Sequence, residues 1–310
     1  MKLIIANEAQ KLDRDRLSHD AWAGGLTPEQ YLAREARLRS HSWPRQALTT
    51  WLLTAEDGAP LASCETYRMD SVFQGAKGST YGVASVYTEA ALRGRGHAVK
   101  MMDLLGPELT ARDPEAHASI LFSDVGASIY ARSGYVEAPA SDRVLPAEGG
   151  DPAAGVDQLF SDLPPVYGQL QRPDLDFVIW PTLEQLDWHL ERGRVSSALR
   201  GRREVESVGA RAGRSIAIWA GDFEKNQLFI LRLQATDPTS AEALLRAAQR
   251  AAHGAGFPEV RLWETPLPFE WSDDAPGARA ARKGGLPMIR SFVPGLSASG
   301  WKDISRGTWM

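Results

Sequence analysis

The sequence predicts an α/β protein in two parts. Three observations carry that expectation. Strand-like and helix-like patterns alternate along the first half, and further strand and helix candidates follow as far as residue 264. The order hairpin, helix, strand, read between residues 61 and 122, recurs between 215 and 264, although no residue-level repeat accompanies it. A stretch of proline, glycine and alanine without periodicity, residues 145–155, lies between them. It divides the chain into an expected first domain, 1–147, and a second, 148–310.

In the first part, residues 1–6 read as a short apolar strand. Thr27-Pro28-Glu29-Gln30 supplies an N-cap, a proline at the first helical position and an acidic first turn. The helix it opens runs to about Arg39, with Tyr31, Leu32, Glu35 and Leu38 at helical spacing. Strands are expected at 48–54, 61–69 and 81–88, punctuated by Gly58, Gly75 and Gly78. A helix over 94–112 sets Val99, Met102, Leu105 and Leu109 on one stripe, with Pro107 weakening its end. A strand at 118–122, a short helix at 126–132 and a strand from Tyr135 follow. In the second part the pattern predicts a helix over 156–170, a strand at 177–180 and a helix over 183–192 opened by Thr182. A hairpin of 215–220 and 228–236, a helix over 240–253 and a strand at 259–264 complete it. Asp237-Pro238-Thr239-Ser240 reads as the cap of that helix rather than as a phosphate-binding turn.

Composition narrows the function classes. With 43% hydrophobic and 24% charged residues the chain has the balance of a folded globular protein, which excludes a disordered or fibrous one. Its 35 basic and 39 acidic residues, net −4, argue against a nucleic-acid partner held by charge. No apolar run reaches the roughly 18 residues needed to cross a bilayer. The opening MKLIIANEAQKLDRDR turns charged too early for a signal-peptide core. The expectation is a cytoplasmic protein with no membrane partner. Cys64 is the lone cysteine, so neither a disulfide framework nor a zinc cluster fits within the chain, and no metal is expected. Ten tryptophans are the unusual count. Trp180, Trp219, Trp263 and Trp271 are candidates for a pocket wall, with core packing as the plainer role.

The informative stretch is 81–105, YGVASVYTEAALRGRGHAVKMMDLL. A strand ends near Thr88 and a short loop follows, in which Arg93-Gly94-Arg95-Gly96-His97-Ala98 opens a helix. Glycines there let backbone N–H groups approach a phosphate, and the helix N-terminus adds unpaired donors and a positive dipole end. This is pyrophosphate chemistry, without the Gly-Lys-Ser/Thr of a P-loop or the G-x-G-x-x-G of a dinucleotide fold.

The arrangement R-x-x-G-x-A, met by Arg93, Gly96 and Ala98, resembles the acetyl-CoA-binding motif of the GNAT acetyltransferase superfamily. The strand at 83–88 sits where that superfamily has its splayed strand. Residues 121–135, LFSDVGASIYARSGY, resemble its next motif, with Tyr130 five residues before Tyr135. More of the chain is similar to the fungal lysine N-acetyltransferase family. The resemblance lies in 22–32 (WAGGLTPEQYL) with Arg34-Glu35, in 63–68 (SCETYR), in Ser85-Val86-Tyr87-Thr88, Met101-Met102 and 128–135, and in Gly285-Leu286-Pro287-Met288-Ile289. Ser123-Asp124 departs from the superfamily pattern, where an asparagine is common. The resemblance implies a GNAT-like mixed sheet with a splayed strand, followed by an α/β domain that is a degenerate GNAT-like repeat walling the acceptor pocket. It also implies transfer of acetyl from acetyl-CoA to the ε-amine of free lysine or a lysine-like small molecule. Another small amine as acceptor, such as an amino sugar, or a non-catalytic acyl-CoA-binding role, is the alternative.

Under that resemblance Val86, Tyr87, Thr88, Arg93, Gly94, Arg95, Gly96, His97 and Ala98 are the cofactor-binding candidates. A backbone N–H near Val86 or Tyr87 faces the thioester oxygen, and Tyr130 gives a proton to the departing thiolate. Glu65 and Asp124 are the candidates for ammonium binding or proton removal. Each has a plainer reading: Tyr130 as a core aromatic, Glu65 as a solvent-facing strand residue, Asp124 as a helix N-cap, His97 as an exposed loop residue. Cys64 reads as a buried small side chain rather than a nucleophile. The arginine-rich run 192–214 reads as a solvated helix face and loop, with a smaller part left for an anion on the cofactor or acceptor.

Overall fold

The computed structural model describes residues 1–152, 154–160, 163–272 and 275–310. The chain opens with β1 (Lys2–Ile5), α1 (Glu8–Trp22), α2 (Pro28–Arg39) and α3 (Ser42–Ala47). Then come β2 (Leu48–Thr54), β3 (Pro60–Phe73), β4 (Ala76–Tyr87), α4 (His97–Arg112), β5 (Ala116–Ser123), α5 (Ser128–Ala131) and β6 (Val136–Glu137). The middle holds β7 (Ser141–Pro146), β8 (Asp157–Leu159), α6 (Leu163–Tyr167), β9 (Phe177–Ile179) and α7 (Leu183–Leu199). The remainder is β10 (Gly209–Ala212), β11 (Ser215–Asp222), β12 (Gln227–Gln234), α8 (Pro238–Gly254), β13 (Glu259–Trp263), β14 (Ala278–Ala281) and β15 (Leu286–Ser291).

Two mixed sheets result. The first runs β1-β2-β3-β4-β5-β15-β6, with β9 also paired to β3; the second runs β14-β7-β13-β12-β11-β10-β8. The recurring order in the sequence has a structural counterpart. In the first sheet β3 and β4 form an antiparallel hairpin, α4 follows, and β5 lies parallel to β4. In the second, β11 and β12 form the hairpin, α8 follows, and β13 lies parallel to β12. The two halves also exchange a strand at matching positions. β15 pairs antiparallel with β5, and β7 pairs antiparallel with β13. The strand pairings therefore cross the expected boundary at 147, because β7 belongs to the second sheet and both β9 and β15 to the first.

Local chemistry explains the elements that position the site. Thr27 accepts a hydrogen bond from the Gln30 N–H while the Gln30 side chain accepts from the Thr27 N–H, a reciprocal cap on α2. Thr182 accepts from the Gln185 N–H at 3.2 Å and starts α7, which packs against α2 and α3 and so ties the halves together. Thr182→Ala is expected to cost about 1 kcal/mol of stability. A lowered urea midpoint with an unchanged slope is the readout. The core under α4 contains Trp51, Cys64, Met101, Met102 and Leu105, all essentially inaccessible to solvent.

Three expectations change. The helix expected over 156–170 is instead β8 paired with β10, and then the short α6; residues 161–162 of that span lie outside the described residues. The linker expected over 145–155 begins inside β7, which runs to Pro146, and its residue 153 is likewise outside the described residues. α1 was not expected at all, because its buried side chains are Arg14, Asp15 and Ser18, which give no apolar stripe to read. Among the described residues no helix is long and apolar enough to cross a membrane.

Candidate active site

β4 and β5 pair only as far as Val83 with Leu121; beyond that β5 continues to Ser123 while β4 turns away. Two features produce the divergence. Ser85 has φ +52°, an uncommon conformation for a residue with a side chain, and the register against β3 shifts between Ser63 and Glu65. The bulge is held from the side: Arg14 Nη2 on α1 donates to the Ser85 carbonyl at 3.0 Å. The Tyr87 hydroxyl donates to the Leu17 carbonyl at 2.7 Å, which pins α1 across the end of β4.

Past β4 the chain makes the glycine turn. Gly94 and Gly96 both have φ +77°, and a Cβ placed on either meets nothing within 4 Å. The turn is therefore left-handed and open on its outer side. Arg93 Nε donates to the Thr88 carbonyl at 3.0 Å, closing the loop onto the strand end. Gly96 is the N-cap of α4, so the N–H groups of residues 97–99 have no carbonyl one turn back within the helix. Val86, Tyr87, Thr88, His97 and Ala98 are half-buried, whereas Arg93, Gly94, Arg95 and Gly96 are exposed.

A cleft of about 310 Å³ occupies the divergence. Its floor is Val83–Val86 of β4 with Leu121 and Phe122 of β5. One wall is Arg14 and Trp22 of α1 with Arg34 and Glu35 of α2; the opposite wall is Asp124 and Tyr130. The second half closes it with Trp188 and Arg192 of α7, with Asp222 at the end of β11 and with Glu224 and Lys225 from the turn that follows. Trp309 and Met310 line it as well, the Met310 side chain lying over Gly82, where any Cβ would collide with it.

The structure brings together three of the expected chemical groups here. Tyr130 is 9% exposed, packs edge-on against Tyr135 and has no hydrogen-bond partner for its hydroxyl among the described residues. Burial pushes its phenol up to about 12, with the Cys64 thiol and Asp124 adding to the effect, so it is protonated at neutral pH.

Glu65 does not face solvent. Both it and Cys64 are buried, Cys64 under α4 and Glu65 on the opposite face, because α1 and α2 cover that side. Arg14 Nη1 donates to Glu65 Oε1 at 3.1 Å and Arg39 Nη2 at 3.5 Å, while Arg39 also donates to both oxygens of Asp15. Burial pushes the Glu65 carboxyl up, but the two guanidiniums outweigh it and hold it below the usual carboxylate range. Asp124 is not an N-cap: Ala127 stands at that position of α5. Its Oδ1 accepts the Gly285 N–H at 2.7 Å, and Lys225 lies 3.3 Å from Oδ2, so one exposed carboxylate joins both halves. Burial raises the Cys64 thiol to about 12, which keeps it protonated.

Other expectations need revision. Of the four tryptophans considered for the wall, Trp219 and Trp263 are core residues and none of the four lines the cleft; Trp22, Trp188 and Trp309 do. Arg192 is not on a solvated face. It lies 3.1 Å from Glu224 and 3.8 Å from Asp222 inside the cleft. Arg200 donates to the Gly24 carbonyl at 2.6 Å, and Arg202 stacks over Phe223 and Phe257. The sequence assigns no site role to Arg14, Arg34 or residues 222–225, since each arrives through a helix or hairpin distant in sequence from the splay. Among the described residues no group of three or more His, Cys, Asp or Glu side chains is arranged to hold a metal ion.

Comparison with known proteins places this geometry. Residues 169–287 match a family model described as the LYC1 GNAT-like C-terminal domain. The chain is 24% identical to the lysine acetyltransferase of Yarrowia lipolytica, over 84% of this chain and 83% of that one. Among solved structures, a conserved Enterococcus faecalis V583 protein described as a probable N-acyltransferase superposes with TM-score 0.61. It is 14% identical over 94% of this chain and 72% of its own. A GCN5-related N-acetyltransferase from Kribbella flavida superposes with TM-score 0.52 at 18% identity, over 94% and 70% of the two chains.

Proposed function

We propose that this chain, a GNAT-type acetyltransferase, moves acetyl from acetyl-CoA to the ε-amine of free lysine or a lysine-like small amine by direct attack. The reading is carried by one observation: the strand divergence, an unpartnered and protonated Tyr130 and a set of opposed charges share a single cleft. The glycine turn at Gly94 and Gly96 with the first turn of α4 offers backbone N–H groups to the pyrophosphate. Arg93, Arg95, His97 and Ala98 flank it. Acyl-CoA enters between β4 and β5, where the backbone of Val86, Tyr87 and Thr88 is released from pairing with β5. An N–H of Val86 or Tyr87 stabilises the charge that develops on the thioester oxygen, and the Tyr130 hydroxyl protonates the departing thiolate.

The acceptor side supports an amino-acid-like amine. Carboxylates of Glu35, Glu65, Asp222 and Glu224 stand within the cleft alongside the guanidiniums of Arg34 and Arg192. That mixture suits a zwitterion carrying a second ammonium group better than a neutral or polyanionic molecule. The curated relative, a lysine acetyltransferase, points the same way. Incubation with acetyl-CoA and a panel of lysine, ornithine, polyamines and amino sugars, read by product mass and acetyl position, tests the proposal. Nε-acetyl-lysine as the major product is the expected outcome. Acetylation of an amino sugar with lysine untouched would overturn the acceptor assignment.

A further inference from the structure

The transfer needs a group that takes a proton from the acceptor, because an ε-ammonium with an ordinary pKa near 10.4 is almost wholly charged at neutral pH and has no lone pair to attack with. Five carboxylate side chains line the cleft, and their surroundings distinguish them. Asp222 accepts the backbone N–H groups of Glu224 and Lys225 and a bond from Arg306. Glu224 is bonded to Arg34 through one oxygen and to Arg192 through the other. Asp124 is taken by Gly285 and Lys225. Each of these three has both oxygens engaged.

Glu35 and Glu65 remain, and they differ in hydrogen bonding, access and charge balance: Glu65 is bonded by Arg14, Arg39 and the Ser85 side chain. Glu65 is the deeper, its side chain 6% exposed behind the Arg14 and Arg39 guanidiniums. Glu35 is 19% exposed on the cleft wall. Its Oε1 accepts from Arg34 at 3.0 Å, while Oε2 comes no nearer than 3.9 Å to Arg39.

We propose that Glu35 is the catalytic base, its free Oε2 taking the proton from the acceptor ammonium so that the neutral amine attacks the thioester. This rests on the acetyl-transfer reading above. The charges around Glu35 suit the task. From α1 it faces Asp15, from its own helix Arg34, Arg39 and Tyr31, from β3 Glu65 and Tyr67, and from α7 Arg192. Burial raises its carboxyl above the ordinary value; Arg34 and Arg39 oppose this, and Glu65 and Asp15 reinforce it. A carboxylate moved towards neutrality is a stronger proton acceptor than one held down by arginines. The protons balance. One passes from the ammonium to Glu35 and on to solvent. The nitrogen pair forms the C–N bond, the C–S bond breaks with its pair on sulfur, and the second proton lost by nitrogen balances the one Tyr130 gives the thiolate.

The test is Glu35→Gln, close in shape and unable to accept the proton, assayed with the acceptor that the wild type acetylates. Its kcat at pH 7 is expected to fall by about 10²-fold or more. Acetyl-CoA Kd is expected to stay within about twofold, since the loss is confined to the chemical step. The pH profile is the readout that a structural role would not move. Wild-type kcat falls as pH drops through the Glu35 titration and is level above it. Glu35→Gln has no such limb and instead climbs about tenfold per pH unit towards the pKa of the amine itself. Glu35→Asp, which keeps the charge and withdraws it by one methylene, covers the case in which Gln disturbs the arginine cluster; its kcat is expected to fall with acetyl-CoA binding retained. Wild-type kcat and an unchanged pH profile in either variant would overturn the role of Glu35 alone. A wild type that acetylates no amine would instead overturn the transfer reading and this inference with it.

Discussion

Tyr130→Phe is expected to lower kcat by about 10²–10⁴-fold while acetyl-CoA affinity stays within about twofold. The hydroxyl is the one atom removed. It has no structural partner to lose among the described residues, so the core of Tyr135, Met101 and Cys64 around the ring stays filled. Stability is therefore expected to change little, and the defect to appear in the chemical step. Because burial holds the phenol at about 12, the group stays protonated across the neutral range and contributes no limb to the pH profile there. The measurement is steady-state kinetics beside calorimetric titration of acetyl-CoA. An unchanged kcat would remove the acid role and leave Tyr130 as a packing residue.

Arg14→Met is expected to cost about 3–5 kcal/mol, the range for removing one partner from a buried ion pair and leaving the other charge uncompensated. Arg14 is 4% exposed and donates to Glu65, to Ser63 Oγ at 3.2 Å, to Asp15 at 3.4 Å and to the Ser85 carbonyl on the bulge. The pH dependence follows from the sign of the shift. In the native protein Glu65 lies below its ordinary value, so its stabilisation is present above the unfolded value, about 4.3, and is lost as pH falls through the lower folded one. Without Arg14, burial is opposed by Arg39 with less help, and protonation of Glu65 at low pH relieves the buried charge. The stability gap between variant and wild type should therefore be wide at pH 7 and narrow towards pH 3. Urea unfolding at the two pH values measures it. Equal midpoints at pH 7 would show that the cluster does not hold α1 to the sheet.

Much of the frame is visible in the sequence because it rests on local chemistry. Caps mark the starts of α2, α7 and α8, glycines mark the turn into α4, and apolar runs between turn glycines mark the strands around β2 to β4. The proposed donor side of the site shares this legibility, since Gly94, Gly96 and Tyr130 fall within about one structural unit. The proposed acceptor side does not. α1 buries Arg14, Asp15 and Ser18, so hydrophobic periodicity is blind to it. Glu35 sits in a helical stripe that reads as packing, and only its neighbours Glu65 and Asp15, brought by β3 and α1, give it a different character. Asp222, Glu224 and Lys225 belong to an ordinary hairpin until the second half is laid across the first. The exchange of β7 and β15 is a long-range pairing with no local mark, which is why a boundary drawn from composition falls where the strands cross.

The most direct test is release of CoA thiol from acetyl-CoA by the wild-type protein, with and without free lysine. A thiol release rate that rises with lysine and saturates, with one acetyl-lysine formed per thiol, is the result expected of a cleft that joins an acyl-CoA donor to a small amine. Thiol release at the same slow rate with lysine absent or present, and with every other amine tested, would contradict it.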